Sequence, residues 1–141
     1  MQKSVELKVK EKVDILRGHH IPLTTTRLVL LRFIASKVGH FSAEDIYDAL
    51  KEEYPSLSIA TVYNNMSLFA RLGIVQELRI KRDKVIYDTR PDPHDHFLCL
   101  ICGNIYDIET PQRELPEEIE GHKVYSAHTY YYGVCKNCRK S

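Results

Sequence analysis

The sequence predicts an α+β chain in two parts, a helical N-terminal portion followed by a small β-rich one, and three observations carry that reading. Apolar residues recur at steps of three and four through the first part and then give way to short β-like runs. Thr89-Arg90-Pro91-Asp92-Pro93 sets two prolines within three residues and reads as a hinge. Two C-x-x-C pairs both fall in the second part, where they can staple a unit too small for a large core. At 141 residues, 43% hydrophobic and 28% charged, the chain has the balance of a globular protein rather than a disordered or fibrous one. No apolar run approaches the roughly 20 residues that span a bilayer, and residues 1–12 do not read as a secretory signal. The expectation is a cytoplasmic protein with no membrane partner.

The elements follow in order. Val5, Val9, Val13 and Leu16 lie at helical spacing in residues 3–17, and Gly18 ends that helix. Thr24, Thr25 or Thr26 can cap a second helix near 26–37, with Leu28, Leu31 and Ile34 on one face. Ser42-Ala43-Glu44-Asp45 resembles a capping box and opens a third helix, whose Ile46, Tyr47 and Leu50 face inward until Tyr54-Pro55 breaks it. Ser58 caps a fourth helix that runs to Leu72 and closes on Gly73. Val62, Met66, Phe69 and Gly73 form its buried stripe. The opposite face presents Ala60, Asn64, Ser67 and Arg71, with Thr61 and Tyr63 on its shoulders.

Strand-like runs at 74–80 and 85–88 are joined by Lys81-Arg82-Asp83-Lys84. Three helices and a basic-tipped hairpin make a winged helix-turn-helix over residues 1–88. The hinge occupies 89–93, and residues 94–141 form the second domain. There, residues 96–102, 104–109 and 123–134 are β-like, and one short helical stretch is expected near 112–120. The formal charge of +1 hides an asymmetry: 14 Lys and Arg against 11 Asp and Glu in residues 1–88, but 6 against 8 in residues 89–141. The first part is mildly suited to a polyanion.

Cys99-x-x-Cys102 and Cys135-x-x-Cys138 stand 32 residues apart. Each pair supplies two sulfurs to one side of a tetrahedron, so two pairs close it with no position left for water. Four soft thiolates select Zn2+, and Gly103 suits the tight turn of a knuckle. The competing readings are two buried thiol pairs, or a redox pair that would want a βαβ context absent here. Zinc in such a site stabilises the fold and does no catalysis.

A second constellation surrounds the hinge. On a strand, residues two apart point the same way, so His94 and His96 can reach one metal ion, with Asp88 and Asp107 the nearest carboxylates. Imidazoles and carboxylates suit a divalent ion such as Fe2+ or Mn2+. The alternative is a solvated polar strand start whose histidines bind nothing. His40, taken by itself, reads as an ordinary surface or cap residue.

The chain resembles the ferric uptake regulator (Fur) family of metal-dependent repressors, and within it the peroxide-sensing PerR-type branch. The resemblance rests on His40-Phe41-Ser42-Ala43-Glu44-Asp45-Ile46-Tyr47 and on Tyr54-Pro55-x-x-Ser58-x-Ala60-Thr61-Val62-Tyr63-Asn64-Asn65. It continues in Gly73-Ile74-Val75, His94-x-His96, Cys99-x-x-Cys102-Gly103 and Tyr132-Gly133-Val134-Cys135-x-x-Cys138. It implies a C-terminal dimerisation domain carrying structural zinc, with His40, Asp88, His94, His96 and Asp107 as a regulatory metal site. Aspartates at 88 and 107, and Asn64 directly after Tyr63, favour the peroxide branch, in which His40 or His94 is the ligand that becomes oxidised.

The resemblance further implies a homodimer on a palindromic double-stranded operator. Tyr63 and Asn64 would meet bases, with Ser58 and Thr61 on phosphates and Arg27, Lys81 and Arg82 among the DNA-contacting cations. Three features depart from the family pattern. Thr24-Thr25-Thr26-Arg27 replaces Thr-Pro-Gln-Arg, and the helix at 111–120 is short. Pro93 stands where a further metal site built on Asp95, Glu114 and His128 would want a histidine. Two other readings compete: an iron- or manganese-responsive regulator without peroxide chemistry, and, from another class, a small metallohydrolase using His94, His96 and an aspartate. A third is a zinc-stapled interaction module. The repressor reading expects no enzymatic turnover.

Overall fold

The structure, a computed structural model, describes residues 3–90, 92, 94–109 and 114–140. The chain divides into two compact units, Met1–Pro91 and Asp92–Ser141.

In the first unit the helices start where short hydroxyl side chains can take up orphan backbone donors. Ser4 caps α1 (Val5–Gly18), Thr24 caps α2 (Thr25–Ser36), Ser42 caps α3 (Ala43–Leu50) and Ser58 caps α4 (Ile59–Arg71). At α3 the capping box is reciprocal: Asp45 N–H donates to Ser42 Oγ at 3.1 Å, and Ser42 N–H to Asp45 Oδ2 at 2.9 Å. After α4 the chain turns through Gly73 at φ 76, a left-handed conformation that glycine adopts without steric cost. Leu16, Leu30, Leu31, Ile46, Val62, Met66 and Phe69 are wholly buried where the helical stripes converge. Val5, by contrast, lies one turn before that stripe begins and is exposed.

A three-stranded antiparallel sheet closes this unit. Its order is β1 (His40–Phe41), β3 (Ile86–Asp88), β2 (Gln76–Leu78). Sequence periodicity gives β2 and β3 but not β1, because two residues carry no alternation to read. Thr89 holds β1 in place instead: its N–H donates to Gly39 O at 3.1 Å, and its hydroxyl donates to Lys37 O at 2.7 Å.

Tyr87 at the centre of this sheet is fully buried, and its hydroxyl has no hydrogen-bond partner among the described residues. Burial, reinforced by Glu77, pushes its phenol above the ordinary 10.0. The unfolded chain therefore ionises first, and the folded state holds more protons above pH 10.0, so stability falls as pH rises beyond that value. Tyr87→Phe removes the desolvated hydroxyl; thermal denaturation should show a gain of about 1 kcal/mol at neutral pH. The variant should also lose less stability than the parent between neutral pH and strongly alkaline buffer.

The second unit is built on β4 (Asp95–Cys99), with β5 (Ile105–Ile108) antiparallel on one side and β8 (Tyr130–Gly133) parallel on the other. The strands are shorter than the sequence suggests. The run expected at 96–102 ends at Cys99, where the chain enters a knuckle, and the run at 123–134 is strand only at His122–Lys123 and Tyr130–Gly133.

The helix expected near 112–120 is not found among the described residues of that stretch. Glu118–Ile119 is instead a strand, β6, paired with β7 (His122–Lys123). Glu120 at φ 49 and Gly121 at φ 86 supply the two left-handed positions of a tight hairpin turn. Glu114, Glu117, Glu118 and Glu120 would also repel one another on a helix, which helps tip the balance. Residues 110–113, and prolines 91 and 93 of the expected hinge, lie outside the described residues.

Candidate metal centres and nucleic-acid interface

β4 delivers Cys99 to the end of the central strand, and its parallel neighbour β8 leads into Cys135 three residues before a short 3-10 helix, Cys138–Lys140. The sulfurs of Cys99, Cys102, Cys135 and Cys138 all lie within 4.8 Å of one another. Cys99 Sγ stands 3.8 Å from Cys138 Sγ, and Cys102 Sγ 3.9 Å from Cys135 Sγ. A zinc tetrahedron with bonds of about 2.3 Å has edges of about 3.8 Å, so the four thiols already stand at the spacing zinc requires.

The backbone prepares them for it. N–H groups of Cys102 and Cys135 point at Cys99 Sγ at 3.5 and 3.3 Å, and Cys138 N–H points at Cys135 Sγ at 3.4 Å. The Cys102 N–H, helped by that of Cys135, holds the Cys99 thiol down at about 6. Cys135 is lowered chiefly by the Tyr106 hydroxyl. Cys138 is pushed up to about 12, chiefly through the proton it shares with Cys135. A divalent ion takes the place of those shared protons. Sequence spacing identifies the four sulfurs; it gives no sign of the Tyr106 contact.

The histidines and aspartates are positioned by strand register. In the first unit β1 and β3 set His40 opposite Asp88. His40 Nε2 lies 3.1 Å from Asp88 Oδ2, while Asp88 Oδ1 accepts the Arg90 N–H at 2.8 Å. In the second unit β4 and β5 set His96 opposite Asp107. Asp107 Oδ1 lies 3.1 Å from His94 Nε2 and 3.5 Å from His96 Nε2, and the two imidazole rings are 4.4 Å apart.

His94 Nδ1 sits 2.6 Å from the Asp92 carbonyl oxygen, which can only accept, so Nδ1 carries the proton. In the neutral ring Nε2 is then a lone pair facing a carboxylate oxygen. Two acceptors at that distance repel unless a cation stands with them. A proton or a metal ion at Nε2 removes that repulsion, and for a bound ion the Asp92 carbonyl would do for His94 what outer partners do for ligating histidines generally: fix the ring and its tautomer. The donor chemistry, imidazole with carboxylate, fits iron or manganese. Asp92 escapes sequence reasoning because a backbone carbonyl has no signature. Asp95 is half-buried, Glu114 and His128 are exposed, and no cluster of metal-type donors joins these three among the described residues.

On α4, Tyr63 is 40% exposed and Asn64 is exposed beside it. Ser58 Oγ accepts the Thr61 N–H at 3.1 Å and donates to Thr61 Oγ1 at 2.8 Å, so both side chains belong to the helix cap as well as to the exposed end of α4. Arg27 is engaged within the protein. Its Nε donates to Asn65 Oδ1 at 3.0 Å and its Nη1 to Pro22 O at 2.7 Å, and Asn65 Nδ2 donates to Thr61 O at 2.9 Å. The tie between Arg27 of α2 and Asn65 of α4 bridges 38 residues, and no local pattern announces it. Between β2 and β3, Arg82 and Lys84 are exposed and Lys81 is half-buried.

The profile of the ferric uptake regulator family matches residues 19–132. A peroxide-responsive repressor, PerR, of Staphylococcus aureus strain Mu50 is 35% identical over 140 residues, covering 96% of this chain and 95% of its own. A structure on peroxide sensing and gene regulation by PerR from Streptococcus pyogenes is 30% identical with a TM-score of 0.55, covering 93% of this chain and 92% of its own. The ferric uptake regulator of Francisella tularensis with iron is 27% identical with a TM-score of 0.67, covering 84% of this chain and 95% of its own.

Proposed function

The chain belongs to the ferric uptake regulator family, and from that premise we propose that it is a metal-dependent DNA-binding repressor whose regulatory ion is held jointly by His40, Asp88, His94, His96 and Asp107. The observation that carries the reading is the preset but divided donor set. His40 and Asp88 are aligned in the first unit, and His94, His96 and Asp107 share one carboxylate oxygen in the second. Cys99, Cys102, Cys135 and Cys138 hold a structural Zn2+ that serves the second unit's fold.

An ion bound by both sets of donors fixes how the winged helix over residues 1–88 is presented by residues 94–141, with 89–93 as the hinge. In a homodimer that presentation sets the separation of two α4 helices, and two half-sites about one helical turn apart can be engaged together. The ion shifts this equilibrium only by its preference for the closed arrangement, so a hundredfold preference shifts the ratio a hundredfold. The dimer reading is supported by exposed Leu100, Ile101, Tyr131, Tyr132 and Val134 in the small second unit, and by β8 lying at the edge of its sheet.

On DNA, Tyr63 packs on thymine methyl groups and Asn64 reaches a base edge, with Ser58, Thr61, Lys81 and Arg82 on the backbone. Arg27 keeps the α1–α2 loop against α4 and adds its charge. Tyr63→Ala should weaken operator binding by about 1–3 kcal/mol, roughly 10- to 100-fold by fluorescence anisotropy, with melting unchanged. Unchanged affinity would remove α4 from the interface.

The relative named for its peroxide response supports the finer reading, in which oxidation of His40 or His94 releases DNA. Ferrous iron, when bound, supplies the reducing equivalents for peroxide beside these imidazoles. His94 is held there by the Asp92 carbonyl, and loss of its Nε2 donor would leave only His96 and Asp107 in the second unit's half of the ligand set. Mass spectrometry of iron-loaded protein after peroxide should find added oxygen on His40 or His94, and none on manganese-loaded protein. Oxygen confined to the cysteines would leave an iron- or manganese-responsive regulator without peroxide chemistry.

A further inference from the structure

A concave notch of about 560 Å³ runs beside α4, with His20, Arg27, Asn64, Asn65 and Arg71 in its wall. We propose that this notch is a phosphate subsite that takes one backbone phosphate of the DNA docked on α4; the proposal rests on the DNA-binding reading above.

The lining offers donors and no acid. Two guanidinium groups, an imidazole and two side-chain amides line it, and no carboxylate does. Arg27 is pre-organised as the fixed wall: Pro22 O and Asn65 Oδ1 take two of its five N–H donors, and the charge and remaining donors stay available. His20 sits at φ 59, a left-handed conformation that costs energy in a residue with a Cβ and is retained where the surroundings require it. Neither the His20 nor the Arg71 side chain has a hydrogen-bond or ion-pair partner among the described residues. Both side chains are exposed.

Asn64 identifies the source of the phosphate. It lines the notch and also stands beside Tyr63 on the exposed surface of α4, so an anion seated in the notch lies next to the bases that this helix meets. The notch is open to solvent, as entry of a phosphate that belongs to a polymer requires. A contact of this kind adds affinity and registers the duplex, but it carries no sequence information.

The test uses the full chain loaded with zinc and manganese, and two duplexes: one that the wild-type protein selects from a random pool, and its scrambled counterpart. Arg71→Gln and the double variant with His20→Gln are titrated on both at several salt concentrations. The subsite predicts a similar loss on the two duplexes, about 10-fold for the double variant. It also predicts a plot of log affinity against log salt shallower by about one for Arg71→Gln. An unchanged slope, or a loss confined to the selected duplex, would overturn it. Inorganic phosphate at constant ionic strength is the second arm: if it shifts the His20 imidazole resonances while the variants keep the parental slope, the notch holds a free anion and not DNA. A wild-type protein with no salt-dependent DNA binding would overturn both readings. A steep wild-type slope matched by the variants would overturn only this one.

Discussion

Stripping zinc from the four-cysteine cluster is expected to unfold residues 92–141 while the helical unit stays folded. The reason is the distribution of the core. Every buried residue of the hydrophobic cluster lies between Val9 and Tyr87. In the second unit the buried apolar residues are Leu98, Cys99 and Cys135 among those described, two of them zinc-ligand candidates. So few buried apolar side chains leave a 50-residue unit dependent on a staple. A structural zinc contributes about 10–16 kcal/mol at neutral pH, enough to decide the outcome.

A strong chelator, or Cys102→Ser, should therefore abolish hydrogen-exchange protection of β4, β5 and β8 while leaving α1, α2 and α4 protected. Cys102 is the informative position because it is exposed, so the serine variant loses a ligand without disturbing packing. Persistent protection of β4 in zinc-free protein would mean that something other than the metal holds this unit together.

The second large effect concerns the regulatory ion. His96→Ala should lower manganese affinity by more than about 100-fold, since even outer partners of a ligand are worth 10–100-fold. Asp88→Asn should do the same from the other unit. Asparagine keeps the Oδ1 that accepts the Arg90 N–H, so β3 and its turn survive while the charge is lost. Both variants should retain full zinc and bind DNA no better with manganese than without it. Calorimetry with manganese checks the first statement and anisotropy the second. If Asp88→Asn bound manganese as the parent does, the ion would belong to the second unit alone and the division of ligands would be wrong.

What the sequence reveals depends on how local the determining physics is. Helix starts are legible because a cap is settled within four residues: Thr24, Ser42 and Ser58 each accept an N–H from three positions on. The thiol cluster is legible because the knuckle spacing brings two sulfurs together before any tertiary contact forms. His94-x-His96 is legible by the two-residue period of a strand, and Asp107 by its nearness to them. His40 is different. It meets Asp88 across 48 residues through a two-residue strand held by Thr89, and only resemblance to a family brought it into the ligand set. The hairpin in place of the expected helix near 112–120 turns on two left-handed residues, Glu120 and Gly121, which composition alone does not separate from a helix end. The Arg27–Asn65 tie and the Asp92 carbonyl are long-range or backbone features, silent in the primary structure.

The central claim is that one divalent ion and DNA favour the same arrangement of the chain, so each must tighten the other by an equal factor. The most direct measurement is the manganese affinity of zinc-loaded protein, alone and saturated with its selected duplex. Manganese should bind the DNA complex more tightly, by the same factor by which manganese raises DNA affinity. Equal manganese affinity in the two states would show that the ion and the duplex are held independently.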